Sequence, residues 1–123
     1  MASTKNVQVV EKNTGTKIEW RQSNLKLIFG DDDLAIRCDT RQRDWPVHVD
    51  VCADDDGNLV IGVGTGRYYV AQIDIPAIEY SDTETDNGET ERTALPLDMS
   101  KVVLTLWSID DLKNNTKEDI FNG

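Results

Sequence analysis

The sequence predicts an all-β protein, either a small antiparallel barrel or a sandwich, with about eight strands and mostly hairpin or meander connections. Two observations carry this prediction. Apolar and polar residues alternate with a period of two in several short segments, and turn sequences rich in glycine, asparagine and aspartate separate those segments. No segment has the pattern of a long helix. At 123 residues, the chain is expected to form one domain, residues 1–123.

Two hairpins are expected in the N-terminal third of the chain. Segments 6–10 and 16–20 flank a turn sequence at 13–15, and the register of this first hairpin stays open. The second hairpin joins 25–29 to 34–38 through a four-residue loop. Its predicted pairs are Phe29 with Leu34, Leu27 with Ile36 and Leu25 with Cys38.

A central run of three antiparallel strands is expected within residues 45–76. A three-residue loop at 55–57, with Gly57 in the left-handed conformation, keeps the apolar residues on one face. A two-residue loop would slip the register by one residue and break up that face. The same argument at 64–66 predicts that the second strand pairs with the third. The predicted pairs are Ala53 with Leu59, Val51 with Ile61, Val49 with Val63, Ile61 with Tyr69 and Leu59 with Ala71.

Segment 81–93 is expected to form a protruding acidic β-arm or to remain a mobile loop. It contains no large apolar residue, so it cannot bury a core face of its own. Asn87-Gly88 near its centre is the strongest sequence signal for a two-residue type I′ hairpin turn. The pairs that this turn predicts are Thr85 with Thr90, Thr83 with Arg92 and Tyr80 with Leu95.

The last apolar segment, 101–109, is apolar on both alternating faces. This pattern is typical of a strand that is central in a sheet or covered on both sides. The polar C-terminal tail, residues 110–123, is expected to hold at most one helical turn, capped by Thr116 with Asp119 three residues on.

The net charge of the chain indicates which classes of partner it can bind. A formal charge of −10 results from 13 Lys and Arg against 23 Asp and Glu. Such a surface repels phosphates, so direct binding of nucleic acid is not expected. The same field favours a basic protein partner, although acidity also keeps a small β protein soluble.

A cytoplasmic location is expected from the absence of targeting signals. The sequence has no apolar run of about 18 residues for a membrane helix, and its start has no apolar signal-peptide core. In a reducing compartment Cys38 and Cys52 are expected to be free thiols. A single disulfide between them is the alternative if the protein is exported.

No pattern predicts a catalytic residue, a cofactor or a metal site. His48 and Cys52 lie on one strand about 13.5 Å apart, too far for a direct hydrogen bond between base and thiol. Glycines 62, 64 and 66 precede a strand, whereas a phosphate-binding loop needs a helix start. Turn chemistry explains the aspartate clusters 31–33 and 54–56, with shared calcium binding as the alternative.

The sequence has one basic cluster, made of Arg37, Arg41 and Arg43. Arginines on a loop can clamp a carboxylate or a phosphate in a bidentate way, which makes the cluster a candidate anion-binding site. Pairing with aspartates of the protein itself is the other interpretation.

These features favour a non-enzymatic interaction or assembly protein, such as a structural component of a larger, phage-like particle, in the cytoplasm or in a virion. In this interpretation the acidic arm engages a second copy of the chain or another protein. One alternative is that its acids mimic nucleic-acid phosphates on a basic groove, and another is that aromatic residues bind carbohydrate. The candidate partner-binding residues are Asp82, Glu84, Asp86, Glu89 and Glu91.

Overall fold

The computed structural model describes residues 5–64 and 68–110. Within these ranges the chain forms ten β-strands, one four-residue helix and one 3₁₀ turn, which confirms the predicted all-β class. The strands are β1 (Gln8–Glu11), β2 (Trp20–Ser23), β3 (Lys26–Phe29), β4 (Leu34–Arg37), β5 (Val47–Ala53), β6 (Leu59–Ile61), β7 (Tyr68–Ile75), β8 (Tyr80–Glu84), β9 (Thr90–Ala94) and β10 (Val103–Leu106). The helix is α1 (Cys38–Arg41), and the 3₁₀ turn spans Met99–Lys101.

The strands form three sheets, and none of these closes into a barrel in the described ranges. The largest has the order β1-β10-β7-β5-β6, in which β1 runs parallel to β10 and all other neighbours are antiparallel. A second sheet has the order β2-β3-β4, and β8 and β9 form the third. Strand β10 is an interior strand of its sheet, with β1 on one side and β7 on the other, as its two apolar faces predict.

The two larger sheets share one hydrophobic core. Strands β3 and β4 contribute Leu27, Phe29 and Ile36, and the 3₁₀ turn contributes Met99. Among the described residues, no polar or charged residue is buried, so the core is held by apolar burial and close packing. The five-stranded sheet contributes Val49, Val51, Ala53, Val70, Ala71, Ile73, Ile75, Leu104 and Leu106.

The hairpin of β3 and β4 has the predicted register. Its loop at 30–33 contains Asp32, which has a φ of 61°. Just beyond the ladder, the backbone N–H of Cys38 donates to the carbonyl of Leu25 at 2.9 Å, as the predicted pairing of these residues requires. The observed pairs include Phe29 with Leu34 and Leu27 with Ile36.

The three-residue loop between β5 and β6 is also confirmed. Gly57 has a φ of 85°, and its N–H donates to the carbonyl of Asp54 at 3.0 Å. Glycine adopts this left-handed conformation without the steric cost that a side chain imposes. Gly57 therefore sets the register, which pairs Ala53 with Leu59 and Val51 with Ile61.

The predicted pairing of β6 with β7 is wrong, because β7 pairs with β5 and leaves β6 at the edge of the sheet. Strands β5 and β7 are the two longest, and their ladder buries apolar residues of both. Strand β6 ends at Ile61, and Gly62, with a φ of 92°, donates its N–H to the carbonyl of Asp50. Ile61 is left 44% exposed, and Val49 faces Ile73 in place of the predicted Val63.

A bulge in β7 turns Tyr69 away from the core. Val51 lies opposite Ala71, but the next residue, Cys52, lies opposite Tyr69, so Val70 is an extra residue on β7. The sequence pattern places Tyr69 on the same apolar face as Ala71. Because the bulge shifts the alternation, Tyr69 is exposed and stacks on Trp107, with ring centroids 5.1 Å apart.

The predicted hairpin between 6–10 and 16–20 does not form. Strand β1 lies beside β10 in parallel, and β2 pairs with β3. The reason is that β10, which is apolar on both faces, gains a second neighbour in this way. The chain between β1 and β2 passes the end of β10, where the N–H of Ile109 donates to the carbonyl of Thr16 at 2.8 Å.

Two predictions fall wholly or partly outside the described residues. Residues 65 and 66 of the turn predicted at 64–66 are not described. The predicted helical turn with Thr116 and Asp119 lies entirely within residues 111–123, which are not described either.

Replacing Ile73 with alanine tests the central position of the β5–β7 ladder. Ile73 is fully buried, and a change of this kind lowers the free energy of unfolding by about 2–5 kcal/mol. The matched control is Val63→Ala, at a side chain that is 56% exposed, and its expected effect stays within about 0.5 kcal/mol. Urea denaturation measures both values. Equal effects of the two substitutions would contradict the position of Ile73 in the core.

Candidate functional site

The acidic hairpin, defined as residues 80–94, stands apart from the two larger sheets. Strands β8 and β9 pair only with each other within the described residues. Every residue from Ser81 to Glu84 and every residue of β9 is exposed. Its residues carry five carboxylates and one guanidinium, which gives a net charge of −4.

The turn of the acidic hairpin is one residue longer than the predicted type I′ turn. The N–H of Thr85 donates to the carbonyl of Glu89 at 2.7 Å, so the loop consists of three residues, 86–88. A type I′ turn needs a positive φ at both Asn87 and Gly88, but only Gly88 has one, at 82°. The register is therefore shifted by one residue, and Tyr80 lies opposite Ala94.

This register divides the five acids between the two faces of the acidic hairpin. Residues directly opposite each other in an antiparallel pair share a face. Asp82 lies opposite Arg92 and shares its face with Glu84, whereas Glu91 lies opposite Thr83 on the other face. Glu89 is on the face of Glu91, because it is two residues away, and Asp86 is in the loop. The negative charge is thus present on both sides and at the tip.

The root of the acidic hairpin is bonded to the segment that follows α1. Three consecutive residues, Gln42, Arg43 and Asp44, bond in order to the connection between β7 and β8 and to the first residue of β8. The Gln42 side chain donates to the carbonyl of Pro76 at 3.2 Å, and the N–H of Ile78 donates to the carbonyl of Arg43 at 2.8 Å. The hydroxyl of Tyr80 donates to the carboxylate of Asp44.

Tyr80 is the central contact of this root. Its hydrogen bond to Asp44 raises the pKa of the phenol, because the bond favours the protonated form. The guanidinium of Arg92 lies over the Tyr80 ring, 3.9 Å from its centroid, in a cation–π geometry. On the other strand, the N–H of Leu95 donates to the carbonyl of Glu79 at 2.7 Å. The hairpin therefore leaves the body of the protein in a defined direction.

The predicted anion-binding arginines lie on and beside α1. Arg37 makes a bidentate contact with Asp39, at 2.9 and 3.3 Å, and Arg43 donates to the carbonyls of Thr40 and Gln42. Arg41 is half-buried at the end of the helix. Two of the three guanidiniums thus bond to acceptors of the protein itself, and the anion-binding role stays a prediction.

A second polar cluster, which we call the His48 network, lies on the outer face of the five-stranded sheet. The imidazole of His48 bridges two carboxylates, with Nδ1 2.6 Å from Asp74 and Nε2 2.7 Å from Asp50. The amide of Gln72 donates to Asp50 at 3.0 Å and accepts from the indole N–H of Trp107 at 2.9 Å. These bonds connect β5, β7 and the residue after β10.

The His48 network favours a charged imidazole. The hydrogen bond to Asp74 raises the pKa of His48 most strongly, with Asp50 acting in the same direction. The pKa of Asp50 is lowered, first by its bond from Gln72 and also by His48. Because both ring nitrogens face carboxylates, His48 has no nitrogen free to act as a general base. The two nitrogens also face different carboxylates, so the three residues do not converge on one metal ion.

The cysteines and aspartate clusters have structural environments. Cys38 and Cys52 are buried free thiols. Burial raises the pKa of Cys38 to about 11 and raises that of Cys52, so neither thiol is activated as a nucleophile. In the loop after β5, the carboxylate of Asp54 accepts from the N–H groups of Asp56 and Asn58 at 2.9 Å, which is turn chemistry. In the described part of the chain, no three His, Cys, Asp or Glu residues are placed to hold a metal ion.

Two of these features were not predicted from the sequence. The contact of Tyr80 with Asp44 joins segments 36 positions apart, and no local pattern predicts it. The contact of Tyr80 with Arg92 depends on the register of the acidic hairpin, which differs from the predicted one by one residue. The His48 network depends on the β5–β7 ladder. Its signal is the alternation of His48 and Asp50 with apolar residues on β5 and the matching Gln72 and Asp74 on β7, which becomes informative only when these strands are neighbours.

No protein-family model, no curated protein and no solved structure matches this chain. Among the residues that the structure describes, no helix is long and apolar enough to cross a membrane.

The pKa of His48 can be measured directly, because it is the only histidine. We expect an NMR titration of its ring signals to give a pKa above the ordinary 6.5. Asp74→Asn removes the largest contribution and should lower this pKa. Asp56→Asn, in a distant loop, serves as the control and should leave it unchanged. A wild-type pKa at or below the ordinary value would show that the network does not exist in solution.

The same pKa shift makes a prediction about stability. Because the folded pKa of His48 is raised, its stabilising contribution is complete below the unfolded pKa and is lost as the pH rises through the folded pKa. The difference in free energy of unfolding between the wild type and His48→Gln should therefore decrease as the pH rises from below the ordinary pKa of 6.5 through the raised pKa of His48. The effect is small, because the side chain is 46% exposed and solvent screens the pair. A difference that grows with pH would contradict the raised pKa.

Proposed function

We propose that this chain is a non-enzymatic interaction or assembly protein that binds a basic protein surface through its acidic hairpin. One observation carries the proposal: the hairpin is a separate pair of strands, exposed beyond Tyr80, with a net charge of −4 and a hydrogen-bonded root. Its residues contribute no apolar side chain to the core. Its ordering within the monomer is therefore offset by its own hydrogen bonds, by those of its root and by the contact of Arg92 with the Tyr80 ring.

The partner's chemistry follows from the charge. A hairpin with carboxylates on both faces and at its tip suits a cationic cleft or a pair of basic segments that contact it from two sides. A linear array of phosphates would be imitated better by acids along one face, so the division of the five acids favours a protein-binding arm over a nucleic-acid mimic. The association should weaken as salt is added, because the hairpin charges are exposed.

The body of the protein fits a structural subunit. Its two larger sheets cover a common core in the manner of a small sandwich, and the hairpin extends from one connection of that body. Extended arms of this kind add strands or charge contacts to neighbouring subunits. On this proposal the chain works as a structural component of a larger, phage-like particle, in the cytoplasm or in a virion.

Affinity capture with a charge-neutralised hairpin tests the proposal. The wild type is immobilised and compared with a variant in which the five hairpin acids are replaced by their amides, Asp82→Asn, Glu84→Gln, Asp86→Asn, Glu89→Gln and Glu91→Gln. We expect the wild type to retain a specific basic protein from lysate of the source cell, and the variant to retain at least about tenfold less. Quantitative mass spectrometry at two salt concentrations measures the difference.

The control variant removes the same charge elsewhere. It replaces five exposed acids outside the hairpin and is expected to bind as the wild type does. Equal losses in both variants would mean that binding depends on net charge alone, and the hairpin would have no specific role. The control substitutions are Glu11→Gln, Glu19→Gln, Asp31→Asn, Asp55→Asn and Asp56→Asn.

A further inference from the structure

Trp45 is the most exposed large apolar side chain among the described residues, with 62% of its surface accessible. Tryptophan is usually well buried in a monomer, because its large ring contributes much apolar area to a core. It is also among the residues most enriched at the energetic centres of protein interfaces. The Trp45 ring is not part of the hydrophobic core.

The bonds of the neighbouring segment place Trp45 at the root of the acidic hairpin. Gln42, Arg43 and Asp44 bond in order to Pro76, Ile78 and Tyr80, so the two segments run side by side up to the start of β8. Trp45 is the next residue of this run. Tyr80, the last residue bonded in this run, also lines an open groove together with Ile78, Glu79, Asp82 and Arg92.

We infer that Trp45 is the apolar anchor of the partner-binding surface at the root of the acidic hairpin, an inference that rests on the proposed function. The partner that fits is a protein surface with an apolar pocket for the indole, flanked by lysine or arginine side chains for the hairpin carboxylates. Basic side chains are expected beside the pocket of the partner, because the hairpin carries a net charge of −4. The indole supplies the desolvated contact that exposed charges alone do not provide.

The root is organised before the partner arrives. The Tyr80 hydroxyl bonds to Asp44, and Arg92 lies over the Tyr80 ring, so the segment carrying Trp45 and both hairpin strands are joined. A surface that is already ordered loses less conformational entropy on binding than a flexible one. The free energy gained by burying Trp45 against the partner therefore increases the affinity and is not needed to order the hairpin.

A random twelve-residue peptide library displayed on phage supplies a defined probe. We expect peptides selected on the wild type to combine lysine or arginine with leucine, phenylalanine or tryptophan. The affinity of each selected peptide is then measured for the wild type, for Trp45→Ala and for the control Val63→Ala. Trp45→Ala should weaken binding about 30-fold, equivalent to about 2 kcal/mol, whereas Val63→Ala should not change it. Because the indole is largely exposed, its removal should leave the fold intact, which thermal unfolding checks.

The charge-neutralised hairpin separates this inference from the proposed function. If both the neutralised hairpin and Trp45→Ala lower the affinity for a peptide, the proposed function and the anchor are both supported. If only neutralisation lowers the affinity, the anchor is overturned and the proposed function stands. If only Trp45→Ala lowers the affinity, the anchor is supported and the acidic hairpin is overturned as the binding element. A library from which no peptide is enriched overturns the anchor.

Discussion

The ladder between β5 and β7 is the interaction on which the rest of the molecule depends. It joins the two longest strands and buries the residues that face β3 and β4, so it holds the two larger sheets together. On its outer side the same ladder brings His48 next to Asp74 and Gln72 next to Asp50. At its end, the connection after β7 runs beside the residues before β5 and gives the acidic hairpin its root. One pairing thus determines the core, the His48 network and the direction of the hairpin.

The molecule separates its apolar and its charged parts along the chain. The described core has no buried polar or charged residue, whereas residues 79–92 carry seven charged side chains in fourteen positions. The two parts meet at Tyr80, whose ring and hydroxyl contact a cation and a carboxylate at once. In the proposed function this division lets the binding element change its charge pattern with little effect on the core, since hairpin substitutions are distant from the buried side chains.

The sequence was sufficient for two hairpins and one interior strand, where local rules decided the structure. Loops with glycine or aspartate set the registers of β3 with β4 and of β5 with β6, and the two apolar faces of 101–109 indicated a central strand. It failed where two partners satisfied the same alternation. Tyr69 could face Ile61 or Cys52, and the choice depended on the total area buried by β5 and β7 and on a bulge at Val70, neither of which is a local property. The exposed acids were predicted, but their faces followed from a turn one residue longer than expected.

The parallel pairing of β1 with β10 has a consequence for synthesis of the chain. Gln8 bonds to the backbone of Ser100, 92 positions away, so β1 gains its neighbour only after nearly all the described strands have been made. Contacts so distant in sequence slow folding, because the closure of a long loop precedes any gain from the contact. Until β10 emerges from the ribosome, β1 and the edge of β7 both present unpaired backbone groups. Completion of the five-stranded sheet therefore waits until β10 has emerged, and a nascent chain halted before residue 103 would be prone to aggregate.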